Sequence, residues 1–325
     1  MRRGGAGVPV PPSFVRLPRF APIDLLLLLM TVIWGTNYAI VKHAFTEMDP
    51  QAFNALRMVV ASTVFVVMML IVRRRSSGDP SGIFYTPHVM TRRELLALAA
   101  LGIVGQSLYQ YLFIAGLVRT SVANSAVIAA AAPVMIALAS GATGEERIGR
   151  AHWIGAALSL IGIYIVVGPG VQIGGSSVGG DLLMLAAMCC WSVYTLGARP
   201  LMTRHSPVAV TGISMAIGTA FYVPAVAAHV VSLDWGAVSP MTLVALVYSA
   251  VFSLSLSYTI WYAAVREIGS ARTSVYSNLV PVFAMASAIL FLGEPVSTRK
   301  IAGAAAVLIG VALTRVRTLN PRSGV

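Results

Sequence analysis

The chain has 325 residues, of which 57% are hydrophobic and only 10% charged, and its mean hydropathy is +0.82. Soluble globular domains carry about 25% charged residues, so this composition excludes that class and specifies an all-α polytopic membrane protein. The net charge of +12 then belongs to loops on one side of a bilayer and does not imply a nucleic-acid partner.

The first twenty residues, MRRGGAGVPVPPSFVRLPRF, are basic, and with the following IDLLLLLM they have the basic and apolar parts of a secretory signal. The apolar run continues through WGTNYAIV to Lys42 without a small-residue cleavage site, so it is expected to persist as a first span over 24–42. A bilayer core of about 30 Å takes roughly 20 apolar helical residues. Runs of that kind follow at 52–72, 95–117, 121–142, 151–168, 181–199, 208–230, 241–264, 272–292 and 301–315, the fifth and tenth being short for a span. Between the second and third, Arg73 to Arg93 is polar and basic and suits a tether near anionic lipid. Cys189 and Cys190 are adjacent, cannot bridge each other in a helix and read as packing residues.

Ten spans put both termini on one side. With those termini in the cytoplasm, eighteen of the 23 basic residues fall inside and four outside (Lys42, Arg119, Arg299 and Lys300), with Arg57 within a span. That asymmetry is the positive-inside pattern, expected for a bacterial inner membrane protein with cytoplasmic termini.

The chain also reads as a duplication. Asp24, Trp34 and Pro50 fall on Asp181, Trp191 and Pro207 at a shift of 157, and Pro133, Glu146, Gly155 and Gly162 fall on Pro281, Glu294, Gly303 and Gly310 at a shift of 148. Five spans per copy force the second copy to enter the membrane from the opposite side, the inverted-repeat plan of many secondary transporters. The expected organisation is a tail over 1–23, a first repeat over 24–168, a linker over 169–180, a second repeat over 181–315 and a tail over 316–325.

The segments WGTNYAIVKHAFTEMDPQAFNALRMVVAS, APVMIALAS with GEERIGRAHWIGAALSLIGIYIVV, and PVFAMASAILFLGEPVSTRKIAGAAAVLIGVAL resemble the two EamA repeats of the drug/metabolite transporter superfamily, over about residues 20 to 316. The resemblance implies a ten-helix basket that exports or exchanges amino acids, metabolites, sugars or drugs. The first repeat's GEERIG has two acids, Glu145 and Glu146, where the family pattern has one before proline or Arg-Leu.

Polar groups inside spans mark the expected site, because in lipid they must find partners or water. Trp34, Asn37, Tyr38 and Val41 share one helical face by their spacings of three and four, and Trp191, Tyr194, Thr195 and Ala198 are the counterpart. Two opposed aromatic walls would suit a flat or apolar organic solute. The third span adds Gln106, Tyr109, Gln110 and Phe113, and the eighth adds Ser253, Ser257, Tyr258 and Trp261. Arg57 lies about 8 Å into the second span, with Asn54 one turn back, where it can take a carboxylate or snorkel to the surface. Pro133 and Pro281 fall in mid-span as hinges or tolerated kinks, and Glu146 and Glu294 end the same helices as caps or ion pairs.

All eleven acids fall at span ends or in loops, so no mid-membrane proton relay is visible. A nucleotide-binding loop, an HExxH metal motif and a glycine-cradled serine are also missing from the sequence. The expectation is therefore a secondary transporter, an exporter or exchanger of small organic metabolites such as amino acids, with no cofactor, metal, ATP or nucleic acid. A non-transporting scaffold or receptor-like bundle stays open, and an intramembrane enzyme is the weakest reading.

Overall fold

The computed structural model describes residues 21–75, 89–120, 125, 128–129, 131–144, 148–167, 178–292 and 297–314, and every regular element among them is helical. That is the outcome forced on a chain in lipid, where each backbone N–H and C=O must bond within its own segment. The principal helices are α1 (Pro22–Ala44), α2 (Pro50–Arg75), α3 (Arg92–Arg119), α4 (Ala132–Ala142), α5 (Arg150–Val167), α6 (Val178–Ala198), α7 (Pro207–Ala225), α8 (Pro240–Ile268), α9 (Val280–Leu292) and α10 (Thr298–Thr314). Among the described residues, α1, α2, α3, α6, α7 and α8 are long and apolar enough to cross a membrane, while α4, α5 and α10 are shorter apolar helices. The protein is thus an integral membrane protein.

Local chemistry sets the helix starts. Ser206 and Ser239 accept hydrogen bonds from the amides of Ala209 (3.2 Å) and Thr242 (3.3 Å), each with a proline at the first helical position where no amide is needed. Thr91 and Glu94 form a reciprocal capping box on α3. At the far end of α1, the Glu47 carboxylate accepts from the Ser239 amide (2.9 Å) and the Thr242 hydroxyl (2.7 Å), tying the α1–α2 connection to the start of α8. Those bonds favour the ionised form and hold the Glu47 carboxyl down to about 2.

Two helices widen at matching places. π-helical turns occupy Ile103–Leu108 within α3 and Ser249–Leu256 within α8, and a shift of 148 carries the first into the second. Pro133 and Pro281 are the second residues of α4 and α9. Pro281 stands within a continuous helical run over 270–292, part-way along the expected ninth span, and the run narrows to a 3-10 turn over Tyr276–Leu279 just before it; Pro133 follows a turn at Ala131, part-way along the expected fourth span. Glu146 and Glu294 lie outside the described residues.

Residues related by the duplication touch one another at several places. The Trp34 and Trp191 rings meet edge to face at 6.0 Å, and the Ser62 and Thr219 hydroxyls bond at 2.8 Å; both pairs stand at the 157 shift. At the 148 shift, the Gln110 amide donates to the Tyr258 hydroxyl (3.2 Å) and the Ser159 hydroxyl to the Val307 carbonyl (3.4 Å). On either side of that last contact, α5 and α10 cross antiparallel through glycine. A Cβ on Gly155 would stand 2.4 Å from the Gly310 carbonyl oxygen, and one on Gly162 2.7 Å from that of Gly303.

Candidate functional site

A cavity of about 170 Å³ lies where α1, α2, α3, α6, α8 and α9 converge, in the half of the bundle that holds the α1–α2 connection. Side chains pack closely in the other half. Asp24, Leu27 and Met30 of α1, Tyr262 and Val265 of α8, and Val275 are all closed off, at 0% exposure.

One wall is aromatic. Trp191 sits at its centre, 5.3 Å from Tyr109, 5.4 Å from Tyr258, 5.3 Å from Trp261 and 6.0 Å from Trp34, ring centre to ring centre. These are tilted and edge-to-face contacts of the kind worth about 0.5–1.5 kcal/mol each beyond burial. The two tryptophans therefore build one continuous wall, and the opposed pair of walls expected from the sequence is not formed. The Trp34 indole N–H is committed to the Ser253 carbonyl (3.0 Å), inside the π-helical turn of α8, so Trp34 offers its ring and not its donor to the cavity.

The other wall carries charge. Arg57 is only 5% exposed. Its Nη1 donates to Ser249 Oγ (3.0 Å), and its Nη2 donates to Asn54 Oδ1 (2.6 Å) and Gln110 Oε1 (3.2 Å). All three acceptors are neutral, and Nε has no partner. Gln110 is oriented in turn by its donation to Tyr258, which links the cationic wall to the aromatic one. Asn37 adds an amide oxygen that is buried without a donor.

Of the residues the sequence put forward, Trp34, Asn37, Arg57, Tyr109 and Trp191 line the cavity together with Gln110, Phe113, Ser253 and Tyr258, and Pro281 also reaches it. Four others stand behind the wall. Gln106 is fully buried with its amide unpartnered, the Tyr194 hydroxyl bonds Ser214, the Ser257 hydroxyl donates to the Phe252 carbonyl (2.9 Å), and Trp261 backs Trp34 and Trp191. The Tyr38 side chain lies outside the described part of the structure. Sequence reasoning missed Ser249, which holds Arg57, and Met188, Ser277 and Ala284, which line the cavity. Helical spacing was the available signal for three of them, since Met188 is three residues before Trp191, and Ser277 and Ala284 flank Pro281 by four and three.

Comparison with known proteins agrees with this architecture. The model of the EamA-like transporter family matches residues 21–168 and 178–316, and the chain belongs to that family. An uncharacterized transporter of Archaeoglobus fulgidus is 24% identical over 288 residues, covering 88% of this chain and 96% of that one. A probable terminal-alkyne amino-acid exporter of Streptantibioticus cattleyicolor is 26% identical, covering 91% and 94%. A probable amino-acid metabolite efflux pump of Salmonella typhimurium is 25% identical, covering 88% and 92%. A crystal structure superposes with a TM-score of 0.72 at 19% identity, over 91% of this chain and 99% of that one, which establishes the shared fold. A transporter role follows from the family.

Proposed function

We propose that this member of the EamA-like transporter family is a secondary transporter that exports or exchanges small organic metabolites, amino acids and related compounds among them. It works by alternating access between two inverted five-span repeats, residues 24–168 and 181–315, that make ten spans with both termini in the cytoplasm. The observation that carries the reading is the cavity itself, walled by both repeats around a buried cation and closed at one end.

The contacts between repeat-related residues support the inverted arrangement. Equivalent residues touch only near a two-fold axis, and four such pairs do so, Trp34–Trp191, Ser62–Thr219, Gln110–Tyr258 and Ser159–Val307. The antiparallel crossing of α5 and α10 supports it further, because exchanging the repeats carries the Gly155–Gly310 contact into the Gly162–Gly303 contact. Two of the pairs, Trp34–Trp191 and Gln110–Tyr258, also wall the cavity, so the solute sits on the axis about which the repeats exchange. With the basic residues placed inside, the cavity lies in the outer half and the packed half faces the cytoplasm. In this outward-facing state the solute stacks on Trp34, Trp191 and Tyr109, is oriented by Asn37, and meets Arg57 at its polar end. The π-helical turns and the turns before Pro133 and Pro281 are the local weak points at which spans can bend as access alternates.

The test is release from proteoliposomes preloaded with amino acids, purines and small aromatic acids, read by mass spectrometry beside Trp34→Ala and Trp191→Ala. Selective release by the wild type, lost in both variants at normal insertion, is expected. Equal release by all three proteins would remove the aromatic wall from the mechanism, and a panel that neither binds nor moves counts against transport of these classes.

A further inference from the structure

We propose that the solute is a net anion, a monocarboxylate on an apolar or aromatic body of the 2-oxo acid or aryl-alkanoate type, and that a zwitterionic amino acid of the same body is the poorer substrate. This inference rests on the transport reading above and concerns the charge of what is carried.

The argument starts from Arg57. An arginine keeps its charge in proteins, and a charge taken out of water must be compensated. Arg57 is 5% exposed, yet its partners Ser249, Asn54 and Gln110 are all uncharged, and its Nε is left without an acceptor. No acid lines the cavity among the described residues. The guanidinium is therefore solvated by dipoles but not neutralised. Glu94, by contrast, has a cationic neighbour, with Arg204 Nη1 3.2 Å from its carboxylate. The missing counter-charge at Arg57 coincides with a cavity in which a solute can supply it.

A single carboxylate completes this site. It offers acceptors to a planar donor fork through charge-assisted bonds, the strongest class available to the guanidinium. A zwitterion brings the same carboxylate but also an ammonium, for which the lining has no acid. The occupied cavity then keeps one uncompensated positive charge. Asn37 does not reverse the preference, because its amide presents either oxygen or nitrogen and meets an oxo group as readily as an ammonium. The body of the solute is set by the aromatic wall together with Phe113, Ile114 and Met188, which offer faces and methyl groups and few hydrogen bonds.

The experiment compares three solutes of one body, phenylpyruvate, 3-phenylpropionate and phenylalanine, in a chloride-free buffer so that no inorganic halide occupies the guanidinium. Binding to the full-length purified protein is followed by quenching of tryptophan fluorescence, and release from proteoliposomes by mass spectrometry. Both are repeated with Arg57→Gln and Arg57→Lys, after size-exclusion profiles show that the variants are folded. The two acids are expected to bind and move roughly tenfold better than phenylalanine, because only the zwitterion leaves the occupied cavity with an uncompensated charge, with the preference abolished in Arg57→Gln and partly kept in Arg57→Lys. Phenylalanine equal to or better than the acids in the wild type overturns this inference and leaves the transport reading standing. An equal loss of all three solutes in Arg57→Gln also overturns it, since Arg57 then acts on the conformational cycle. If none of the three binds or moves, this inference and the transport of aromatic metabolites fall together.

Discussion

The α5–α10 crossing makes the most direct claim on stability. A methyl group at Gly155 would lie 2.4 Å from the Gly310 carbonyl oxygen, 2.7 Å from Thr314 Cγ2 and 3.0 Å from the Thr314 amide nitrogen. Ordinary contact begins near 3.4 Å, and two of these three neighbours are backbone, so no rotamer change relieves the clash; the helices must part by about 1 Å. Overpacking of that kind costs about 1–3 kcal/mol, and more when both backbones are held elsewhere. Gly155→Ala should therefore lower the apparent melting temperature in mild detergent by roughly 3–10 °C, measured by size exclusion after heating. Gly141→Ala is the matched control, because the nearest atom to its added methyl is Ile148 Cγ1 at 3.8 Å and α4 should gain from the better helix former. If Gly155→Ala melts with Gly141→Ala, the close crossing is absent in the molecule and the argument for a glycine-mediated repeat interface fails.

Other consequences are separate. Trp34→Ala removes ring contacts to Trp191, Tyr258 and Trp261 and the bond to Ser253, a loss of about 3–5 kcal/mol for a large aromatic truncation; the melting temperature should fall while Trp34→Phe recovers part of it. Tyr276→Phe deletes a donor (2.8 Å) to the buried Asp24 carboxylate, and a bond to a charged group at about 1.5–3 kcal/mol predicts a fall visible in the same assay. Glu47 gives a pH signature. Its carboxyl is lowered from 4.5 to about 2, so its contribution is full above pH 4.5 and is lost as pH falls through about 2. Glu47→Gln should flatten that part of a melting-temperature profile, and an unchanged slope between those values would show that the Ser239 and Thr242 bonds do not favour the ionised form.

Most of the architecture was legible because lipid leaves so few choices. The length of the apolar runs located α1, α2, α3, α6, α7 and α8 to within a few residues. Site residues were harder, for a reason visible in α3. A regular helix puts Gln106, Tyr109, Gln110 and Phe113 on one face, yet only the last three line the cavity. The π-helical turn over Ile103–Leu108 inserts extra backbone between Gln106 and the rest and rotates Gln106 away, against Gly218. The same turn in α8 separates Ser253 and Tyr258, on the wall, from Ser257, whose hydroxyl is spent on a carbonyl five residues back. Nothing in a 3.6-residue period announces either turn. The prolines marked the irregular places in their spans, although the 3-10 turn over Tyr276–Leu279 that precedes Pro281 has no signal of its own.

The duplication clarifies what Arg57 does to the site. Around the axis that brings Trp34 to Trp191 and Gln110 to Tyr258, the 157 shift sends Asn54 to Thr211, Arg57 to Ser214 and Asn37 to Tyr194. The two sets share an architecture and differ in charge. In the first repeat a guanidinium is held by three neutral acceptors beside a cavity; in the second, the Tyr194 hydroxyl and Ser214 close a fully buried neutral pair, with the Ser214 hydroxyl turned back on the Thr211 carbonyl (3.0 Å). A closed polar pair needs nothing from a ligand, whereas an uncompensated guanidinium does. The two repeats, alike in sequence pattern, are therefore unequal in electrostatics at these positions. Among the described residues, the cavity carries its one cation on the α2 side, whereas the related Tyr194 and Ser214 lie fully buried and do not line it. The difference in charge resides at Arg57, where the second repeat has Ser214.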